Sequence, residues 1–461
     1  MIDVLTIETP SLGDRSYLVT DGTVAVVVDP QRDTDRVVSL VHERGLRVTH
    51  VLETHIHNDY VTGGHALARE VGAQYCVNGE DEVSFERTPV RDGDEIRTGD
   101  LHVRVLATPG HTFTHLSYAV ALVPSASDAE QDSVVFTGCS LLFGSTGRPD
   151  LLGPEHAEAL ARHQHASAHR LVEELPDQTA IYPTHGFGSF CAATPTSGDS
   201  ATIGSQRTDN PALIQGVDDW VEATLAALTA YPAYYVHMGP ANAAGPAPVD
   251  LSPPVPADAA GLRRRIQAGE WVVDLRDRTA YAAGHVRGTF NFGLDGSFIT
   301  YLGWLIPWGT PVTLLAGTVE DAERGQHDLA RIGIDRPAAA ATGTVSDWTE
   351  GGEQPASFDT VDFTDVAVRR RDGQDPLVLD VRRDDERAGG HIAGSLHIPL
   401  HGLLDRLDEV PSDEPVLVHC ASGYRASIAA GVLDRAGRDV VLIDDSFDNA
   451  ADAGLDIEKD A

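Results

Sequence analysis

The sequence predicts an α/β fold divided into several domains, and three observations lead to this prediction. The chain has 461 residues, which is too long for a single hydrophobic core. Across residues 1–240, short apolar runs such as VAVVVDP alternate with helical patterns such as DRVVSLVHERG. Two stretches rich in proline, glycine and polar residues, 239–258 and 350–357, indicate linkers. We therefore predict three domains, over residues 1–240, 258–350 and 358–461.

The charge balance excludes some classes of partner. With 34 Lys+Arg against 70 Asp+Glu the formal net charge is −36, and Lys459 is the only lysine. A basic patch for nucleic acid or anionic lipid is therefore not expected. The N-terminus lacks the features of a signal peptide, and no apolar run approaches the roughly 20 residues that cross a bilayer. We expect a soluble, cytoplasmic protein without membrane contact, and we leave homo-oligomerisation open.

The last two predicted domains resemble each other. VVDLRDRTAYAAGHVRGTFN (272–291) and VLDVRRDDERAGGHIAGSLH (378–397) share D-x-R followed by G-H-[IV]-x-G. In both copies the histidine lies eleven residues after the aspartate, Asp274 or Asp380. A duplicated α/β unit explains this repeat, and an apolar strand pattern begins each copy.

The final copy contains a cysteine between a predicted strand and a predicted helix. The apolar run PVLVH leads into CASGYR and then into the helical pattern ASIAAGVLDRAG. A helix start favours a thiolate at Cys420, Gly423 lets the loop curl so that amides point inward, and Arg425 adds a permanent charge for an anion. We therefore expect Cys420 to be an exposed nucleophile with a lowered pKa.

The motif H-C-x-x-G-x-R after an apolar strand resembles the rhodanese family. This resemblance implies that Cys420 carries a persulfide sulfur between a donor and a thiol acceptor. The four residues between Cys420 and Arg425 match the loop length of that family, whereas the related phosphatases have five. In the middle copy Ala316 replaces the nucleophile and Asp321 replaces the arginine. We predict that residues 258–350 form a catalytically inactive rhodanese-like domain.

The first domain contains histidines in a pattern typical of a metal site. THIHNDY follows the apolar run VTHVLE, and three further candidates also follow strand-like runs. Several ligands from one short H-x-H-x-D loop lower the entropic cost of assembling a site. The predicted metal ligands are His55, His57, Asp59, His111, Cys139 and His185.

Residues 1–240 resemble the metallo-β-lactamase superfamily, which implies an αββα sandwich. The segment G-S-x-G-R-x-D and the rhodanese-like tail make the chain similar to bacterial persulfide dioxygenase–rhodanese fusions. Those enzymes oxidise a low-molecular-weight persulfide with mononuclear iron. The resemblance implies iron held by His55, His111 and an aspartate, but this chain has Cys139 at the aspartate position.

A thiolate at this position is softer than a carboxylate and suits zinc. A cysteine at this position resembles the dinuclear zinc metallo-β-lactamases. This resemblance implies a first site of His55, His57 and His111 and a second of Asp59, Cys139 and His185. Three hypotheses stay open: Cys139 binds zinc, binds iron, or lies beside a weakened site. Arg148 matches the arginine that holds the carboxylate of the thiol substrate, and a salt bridge to Asp150 is the alternative.

The sequence thus predicts a sulfur-metabolism enzyme that acts on a small-molecule persulfide, thiosulfate or thiol. Its sites would be a zinc or iron centre in the first domain and a sulfurtransferase site with Cys420 and Arg425 as catalytic residues. Gly423 and Arg148 would bind substrate. Two alternatives remain: a zinc-dependent thioester or lactone hydrolase with an accessory sulfurtransferase, and a persulfide sensor or scaffold without catalysis.

Overall fold

The computed structural model describes residues 2–122, 133–186, 188–196, 198–349, 351 and 353–459. Residues 1, 350 and 461, which bound the predicted domains, lie outside this part of the chain. Two compact units are present, one of residues 1–250 with 330–334 and one of residues 251–329 with 335–461. Within the described ranges no helix has the length and apolar character needed to span a membrane.

The first unit contains eleven strands and seven helices among its described residues. The strands are β1 (Asp3–Thr9), β2 (Asp14–Thr20), β3 (Val24–Val28), β4 (Arg47–Leu52), β5 (Gln74–Asn78), β6 (Thr88–Val90), β7 (Glu95–Thr98), β8 (Leu101–Ala107), β9 (Leu116–Leu122), β10 (Ser133–Gly138) and β11 (Ala180–Pro183). The helices are α1 (Asp35–Arg44), α2 (Gly64–Val71), α3 (Pro154–Glu174), α4 (Ile203–Asp209), α5 (Pro211–Ile214), α6 (Val217–Ala226) and α7 (Tyr235–Ala244).

These elements form the αββα sandwich that the sequence predicted. One sheet has the order β1-β2-β3-β4-β5-β6 and the other the order β11-β10-β9-β8-β7. Apolar side chains from both sheets, such as Tyr17, Val26, Val103 and Phe136, share one buried core. Separate apolar clusters join α1 and α2 to the first sheet and α3, α5 and α6 to the second. The ends of several strands therefore meet at one edge of the sandwich.

The first unit extends further than the predicted boundary at residue 240. Helix α7 continues to Ala244, so the start of the predicted linker is helical. The buried side chain of Asn242 explains the difference, because its Nδ2 donates to the carbonyls of His57 and Tyr60, each at 2.8 Å, and its Oδ1 accepts from Thr62 N at 2.9 Å. This helix is therefore tied to the loop that contains the predicted metal ligands.

The second unit contains both copies of the repeat that the sequence indicated. Its strands are β12 (Trp271–Asp274), β13 (Phe290–Asn291), β14 (Val312–Ala316), β15 (Ala339–Thr342), β16 (Asp359–Val361), β17 (Leu377–Asp380), β18 (His391–Ile392), β19 (Leu396–His397), β20 (Val416–His419), β21 (Val440–Ile443) and β22 (Ile457–Glu458). Its helices are α8 (Ala259–Gln267), α9 (Arg278–Ala283), α10 (Phe298–Leu305), α11 (Val319–Arg331), α12 (Val345–Trp348), α13 (Phe363–Arg371), α14 (Asp384–Ala388), α15 (Tyr424–Arg435) and α16 (Asn449–Asp452).

Each copy has its own parallel sheet. The middle copy has the order β13-β12-β14-β15, and the final copy has the order β16-β21-β20-β17-β19. In corresponding positions, β14 ends at Ala316 and β20 ends at His419, directly before Cys420. The predicted duplication is thus visible as two similar sheets, and only the final copy has a thiol at the end of its central strand.

Candidate metal centre and cysteine loop

Strand ends bring most of the predicted metal ligands together. Strands β4, β8, β10 and β11 lead, respectively, into the segments that contain His55, His111, Cys139 and His185. Donor atoms of His55, Cys139 and His185 all lie within 4.8 Å of one another. The ring of His111 lies 4.9 Å from that of His55, centroid to centroid. All of these side chains are buried.

The three histidines are oriented by their second ring nitrogen. In His55, His111 and His185 the Nδ1 atom is hydrogen-bonded, whereas the buried Nε2 atom has no hydrogen-bond partner among the described residues. The partners of Nδ1 are the Thr54 hydroxyl (2.9 Å), the Arg148 carbonyl (2.8 Å) and the Asp14 carboxylate (2.7 Å). This arrangement is typical of metal ligands, whose outer partners fix the tautomer and aim the free nitrogen at the ion.

His57 is held differently from the other three histidines, although its ring lies 4.2 Å from that of His55, centroid to centroid. Its Nε2 lies 3.1 Å from Glu53 Oε2 and 3.2 Å from Asp29 Oδ1, and all three side chains are buried. Burial alone would lower the pKa of His57, but these two carboxylates hold it well above its ordinary value. The carboxylates therefore bind His57 through Nε2, although its Nδ1 has no partner within the described part of the chain.

Asp59 belongs to a second group of donors that shares His185. The donor atoms of Asp59, His185 and Cys191 lie within 4.8 Å of one another. Burial and the neighbouring Asp14 raise the pKa of Asp59 to about 6, and its Oδ1 has no hydrogen-bond partner in the described residues. An acidic oxygen buried without a partner is costly, and a bound cation would relieve that cost.

Cys139 lies in the turn that follows β10 and is fully buried. Burial raises the pKa of its thiol, and the charges of Asp59, Asp29 and Asp14 add to this increase. The turn packs tightly on Gly147, where an added Cβ would lie 2.6 Å from Cys139 Cβ. Imidazole nitrogens, a carboxylate and thiols within one small volume fit a zinc or iron ion, because a divalent cation would deprotonate the thiol and satisfy the free donors.

Arg148 forms the salt bridge that the sequence offered as one alternative. Its Nε and Nη2 donate to the two carboxylate oxygens of Asp150, at 2.7 and 2.8 Å, and the guanidinium lies 4.7 Å from the centre of the Tyr231 ring. The side chain is buried, with a side-chain exposure of 3%. Arg148 is therefore paired with Asp150 in the structure, and the binding of a substrate carboxylate by Arg148 stays a prediction.

Sequence reasoning missed four side chains of this centre. They are Asp14, Asp29, Glu53 and Cys191. Asp29 follows the apolar run VAVVV and Glu53 follows VTHVL, so the strand-end rule applied to the histidines would have found both. Cys191 lies six residues after His185, and its closeness to a ligand was the available signal. No motif marks Asp14, which meets His185 only in the folded chain.

The cysteine loop has the predicted local geometry. Cys420 follows β20 and precedes α15, and Gly423 has a φ of 92°, which favours glycine. The Gly423 amide donates to Cys420 Sγ at 3.2 Å. One inward amide therefore already contacts the sulfur, as a thiolate site requires.

The expectation that Cys420 is exposed is wrong. The residue is only 1% exposed. Its loop is held on two sides, because the Phe447 amide donates to the Ala421 carbonyl at 2.9 Å and the Tyr424 hydroxyl donates to the Gly293 carbonyl of the middle copy at 2.8 Å. A sulfur donor can therefore reach Sγ only after side chains around the loop move.

Arg425 is paired with a carboxylate. Its two Nη atoms donate to Glu386 Oε2 and Oε1 at 2.5 and 2.7 Å, and 10% of its side chain is exposed. Burial opposes the ionisation of Glu386, but Arg425 holds the pKa of this carboxyl below its ordinary value. A bidentate pair of this kind fixes the start of α15, and it leaves little of the guanidinium for a substrate anion.

We expect Glu386→Gln to destabilise the second unit by about 2–3 kcal/mol, because Arg425 loses its charged partner while it remains largely buried. Since the folded-state pKa of Glu386 is lowered, the stabilisation is fully present above its unfolded pKa and is lost as pH falls through the folded value. The difference in unfolding free energy between the unmodified protein and Glu386→Gln should therefore narrow as pH falls below about 4.3. Urea unfolding at neutral and acidic pH measures this gap.

The matched control is Glu409→Gln. Glu409 also pairs with an arginine, Arg406, at 2.7 Å, but 45% of its side chain is exposed. Exposed pairs contribute about 0–1 kcal/mol, so this variant should resemble the unmodified protein. Equal effects of the two substitutions, or a gap that widens in acid, would contradict the prediction.

Comparison with protein-family models assigns both domain types. Residues 14–185 match the metallo-beta-lactamase superfamily, and residues 364–453 match the rhodanese-like domain. The chain is thus a fusion of a metallo-beta-lactamase superfamily domain with a C-terminal rhodanese-like domain, which confirms the resemblance that the sequence indicated.

Individual relatives include proteins with two different named activities. Human mitochondrial persulfide dioxygenase is 28% identical over 212 residues, which are 46% of this chain and 73% of that protein. A hydroxyacylglutathione hydrolase from Pseudomonas entomophila is 32% identical over 161 residues, 35% of this chain and 56% of the hydrolase. The crystal structure of a metallo-beta-lactamase from Staphylococcus aureus subsp. aureus COL matches with a TM-score of 0.65 and 26% identity, covering 74% of this chain and 99% of its own.

Proposed function

We propose that this protein is an enzyme of sulfur metabolism that oxidises a low-molecular-weight persulfide in its first domain and transfers sulfane sulfur in its last. The observation that carries the proposal is the set of buried, unpartnered donors around His55, Cys139 and His185 on a chain that also has the Cys420 loop. The similarity to human persulfide dioxygenase supports the oxidation, and the rhodanese-like domain supports the transfer.

The residues of the first domain have distinct tasks in this proposal. His55, His111, His185 and Cys139 would hold the metal, which when bound supplies a site for dioxygen and for the substrate sulfur. Asp14 keeps the Nε2 atom of His185 free of a proton by accepting from Nδ1. The burial of these side chains keeps water from the reacting sulfur.

The transfer at Cys420 is a displacement at sulfur. The Cys420 thiolate attacks the outer sulfur of thiosulfate and forms a new S–S bond. The old S–S bond breaks, and sulfite leaves with the bonding electron pair. A thiolate acceptor then attacks the outer sulfur of the enzyme persulfide and releases the Cys420 thiolate. The Gly423 amide, which donates to Sγ, stabilises the negative charge in both steps.

Metal content and oxygen uptake test the oxidation together. For protein purified without added metal, we expect iron by elemental analysis and oxygen consumption that depends on glutathione persulfide. In Cys139→Ala the metal content should fall, because a soft donor of the group is lost. Full metal retention in this variant would assign Cys139 no ligand role, and the absence of persulfide-dependent oxygen uptake would contradict the proposal.

A zinc-dependent hydrolase is the second candidate, and Cys139 favours it. A thiolate in place of a carboxylate suits zinc, and the hydroxyacylglutathione hydrolase is similar over part of the first domain. This candidate predicts zinc in the purified protein, hydrolysis of a glutathione thioester and no oxygen uptake with persulfide. The two activities are measured on the same preparation, so one result supports one candidate and contradicts the other.

A further inference from the structure

An arginine of the middle copy lies against the cysteine loop of the final copy. Arg278, the first residue of α9, packs on Gly423 together with Asp444: a Cβ added to Gly423 would lie 2.7 Å from Arg278 Nε and closer still to Asp444 Oδ1. Gly423 is the residue whose amide contacts Cys420 Sγ. Arg278 therefore packs against the residue whose amide contacts the sulfur nucleophile.

The charge of Arg278 is only partly neutralised. Its Nε donates to Asp444 Oδ1 at 2.6 Å, and its Nη1 lies 3.9 Å from Asp295 Oδ2. Nη2 has no hydrogen-bond partner among the residues that the structure describes, and 31% of the side chain is exposed. The pKa of Arg278 is raised mainly by its hydrogen bond to Asp444, and a smaller contribution comes from the charge of Cys420.

Arg425 cannot fill this role in the same conformation. Glu386 binds both of its terminal nitrogens, and the pair is largely buried. Arg278 thus keeps a donor without a partner among the described residues and contact with solvent, as an entering anion requires.

The sequence places this arginine only in the inactive copy. Asp274 corresponds to Asp380 and Arg276 to Arg382, so Arg278 corresponds to Asp384 in the final copy. The copy that has lost the nucleophile therefore carries a cation where the active copy carries an acid.

We propose that Arg278 is an anion-binding residue of the Cys420 site, through which the middle copy supplies the charge that attracts an anionic sulfur donor. The inference rests on the sulfur transfer proposed above. In that step a thiolate and a thiosulfate dianion approach each other, and sulfite leaves with the bonding electron pair, so a nearby cation lowers the repulsion throughout. Arg278 would bind the sulfonate end, and Gly423 would contact the Cys420 sulfur.

Alkylation of Cys420 by charged and neutral reagents tests the charge directly. Iodoacetate and iodoacetamide are similar in size, so any opening of the loop affects both and cancels in the ratio of their rate constants. We expect Arg278→Gln to lower the iodoacetate-to-iodoacetamide ratio about fivefold at low salt, and less at high salt. Arg278→Lys should keep most of the ratio. Peptide mass analysis assigns the modification to Cys420.

Two further variants separate charge from structure. Asp444→Asn removes the same ion pair but leaves the charge of the guanidinium without its counter-charge, so the ratio should rise, opposite to Arg278→Gln. Arg287→Gln is the matched control, because Arg287 also belongs to the middle copy and pairs with Asp434 of the final copy at 2.7 Å. It should leave the ratio unchanged.

The outcomes distinguish the anion site at Arg278 from the sulfur transfer at Cys420. An unchanged ratio in Arg278→Gln, shifts of Arg278→Gln and Asp444→Asn in the same direction, or no reaction of Cys420 with either reagent would overturn the anion site. A fall in the ratio without thiosulfate-dependent transfer in the unmodified protein would support the anion site and contradict the transfer.

Discussion

Replacing Cys420 with serine is expected to lower sulfur transfer from thiosulfate to a thiol by about a thousandfold or more. A hydroxyl is a poorer nucleophile than a thiolate and cannot carry a persulfide sulfur, so the covalent step is lost and only a slow direct reaction remains. Sulfite release measures the rate. The mass of the intact protein after exposure to donor should increase by one sulfur atom in the unmodified chain and not in Cys420→Ser.

Cys76→Ala is the control for loss of a thiol elsewhere. Burial raises the pKa of Cys76 to about 12, and its position on β5 is remote in sequence from the cysteine loop, so this variant should keep the transfer rate. Full activity in Cys420→Ser would show that another group carries the sulfur. Inactivity of the unmodified protein towards both thiosulfate and persulfides would instead support a sensor or scaffold.

The burial of Cys420 gives this prediction a kinetic component. Because the thiol is only 1% exposed, transfer must follow a movement of the loop or its cover. The Tyr424 hydroxyl holds the loop to the Gly293 carbonyl, so the cover involves the middle copy. The copy without a nucleophile therefore influences both access to the sulfur and, through Arg278, the charge that surrounds it.

Local sequence patterns were sufficient for the features that depend on short stretches. The position of Cys420 between a strand and a helix follows from apolar runs, helical periodicity and one glycine. Strand β20 ends at His419, directly before Cys420, whereas α15 begins at Tyr424, inside the predicted loop. The convergence of His55, Cys139 and His185 follows from their common placement after strands of one sandwich. In each case the decisive interaction lies within the element itself or at a shared sheet edge.

Features that depend on distant partners could not be predicted in this way. Glu386 lies 39 positions before Arg425 in the sequence, and no pattern in the cysteine loop predicts that the two residues form an ion pair. Asp29 contacts His57 because β3 and β4 are neighbours in the sheet, and the H-x-H-x-D motif alone gives no sign of this contact. The exposure of Cys420 depends on the packing of two copies, which no single motif describes.

His185→Ala is expected to lower metal affinity by about a hundredfold or more. His185 belongs to both donor groups, one with His55 and Cys139 and the other with Asp59 and Cys191, so its loss weakens every combination of ligands. Removal of an outer partner typically costs 10–100-fold in affinity, and a direct ligand should cost at least as much. Competition with a chelator, followed by elemental analysis, measures the change for whichever metal the protein retains.

Two companion variants give this result its meaning. Asp14→Asn keeps the ligand but alters the acceptor that orients it at 2.7 Å, so the affinity should fall by a smaller factor, about 10–100-fold. His156→Ala removes a histidine whose side chain is 46% exposed and whose nearest carboxylate lies at 3.9 Å, and it should bind metal normally. Equal metal affinity in His185→Ala and His156→Ala would contradict a centre at these strand ends. A graded loss, largest for His185, is the result expected if the unpartnered nitrogen binds the ion and the carboxylate behind it sets its direction.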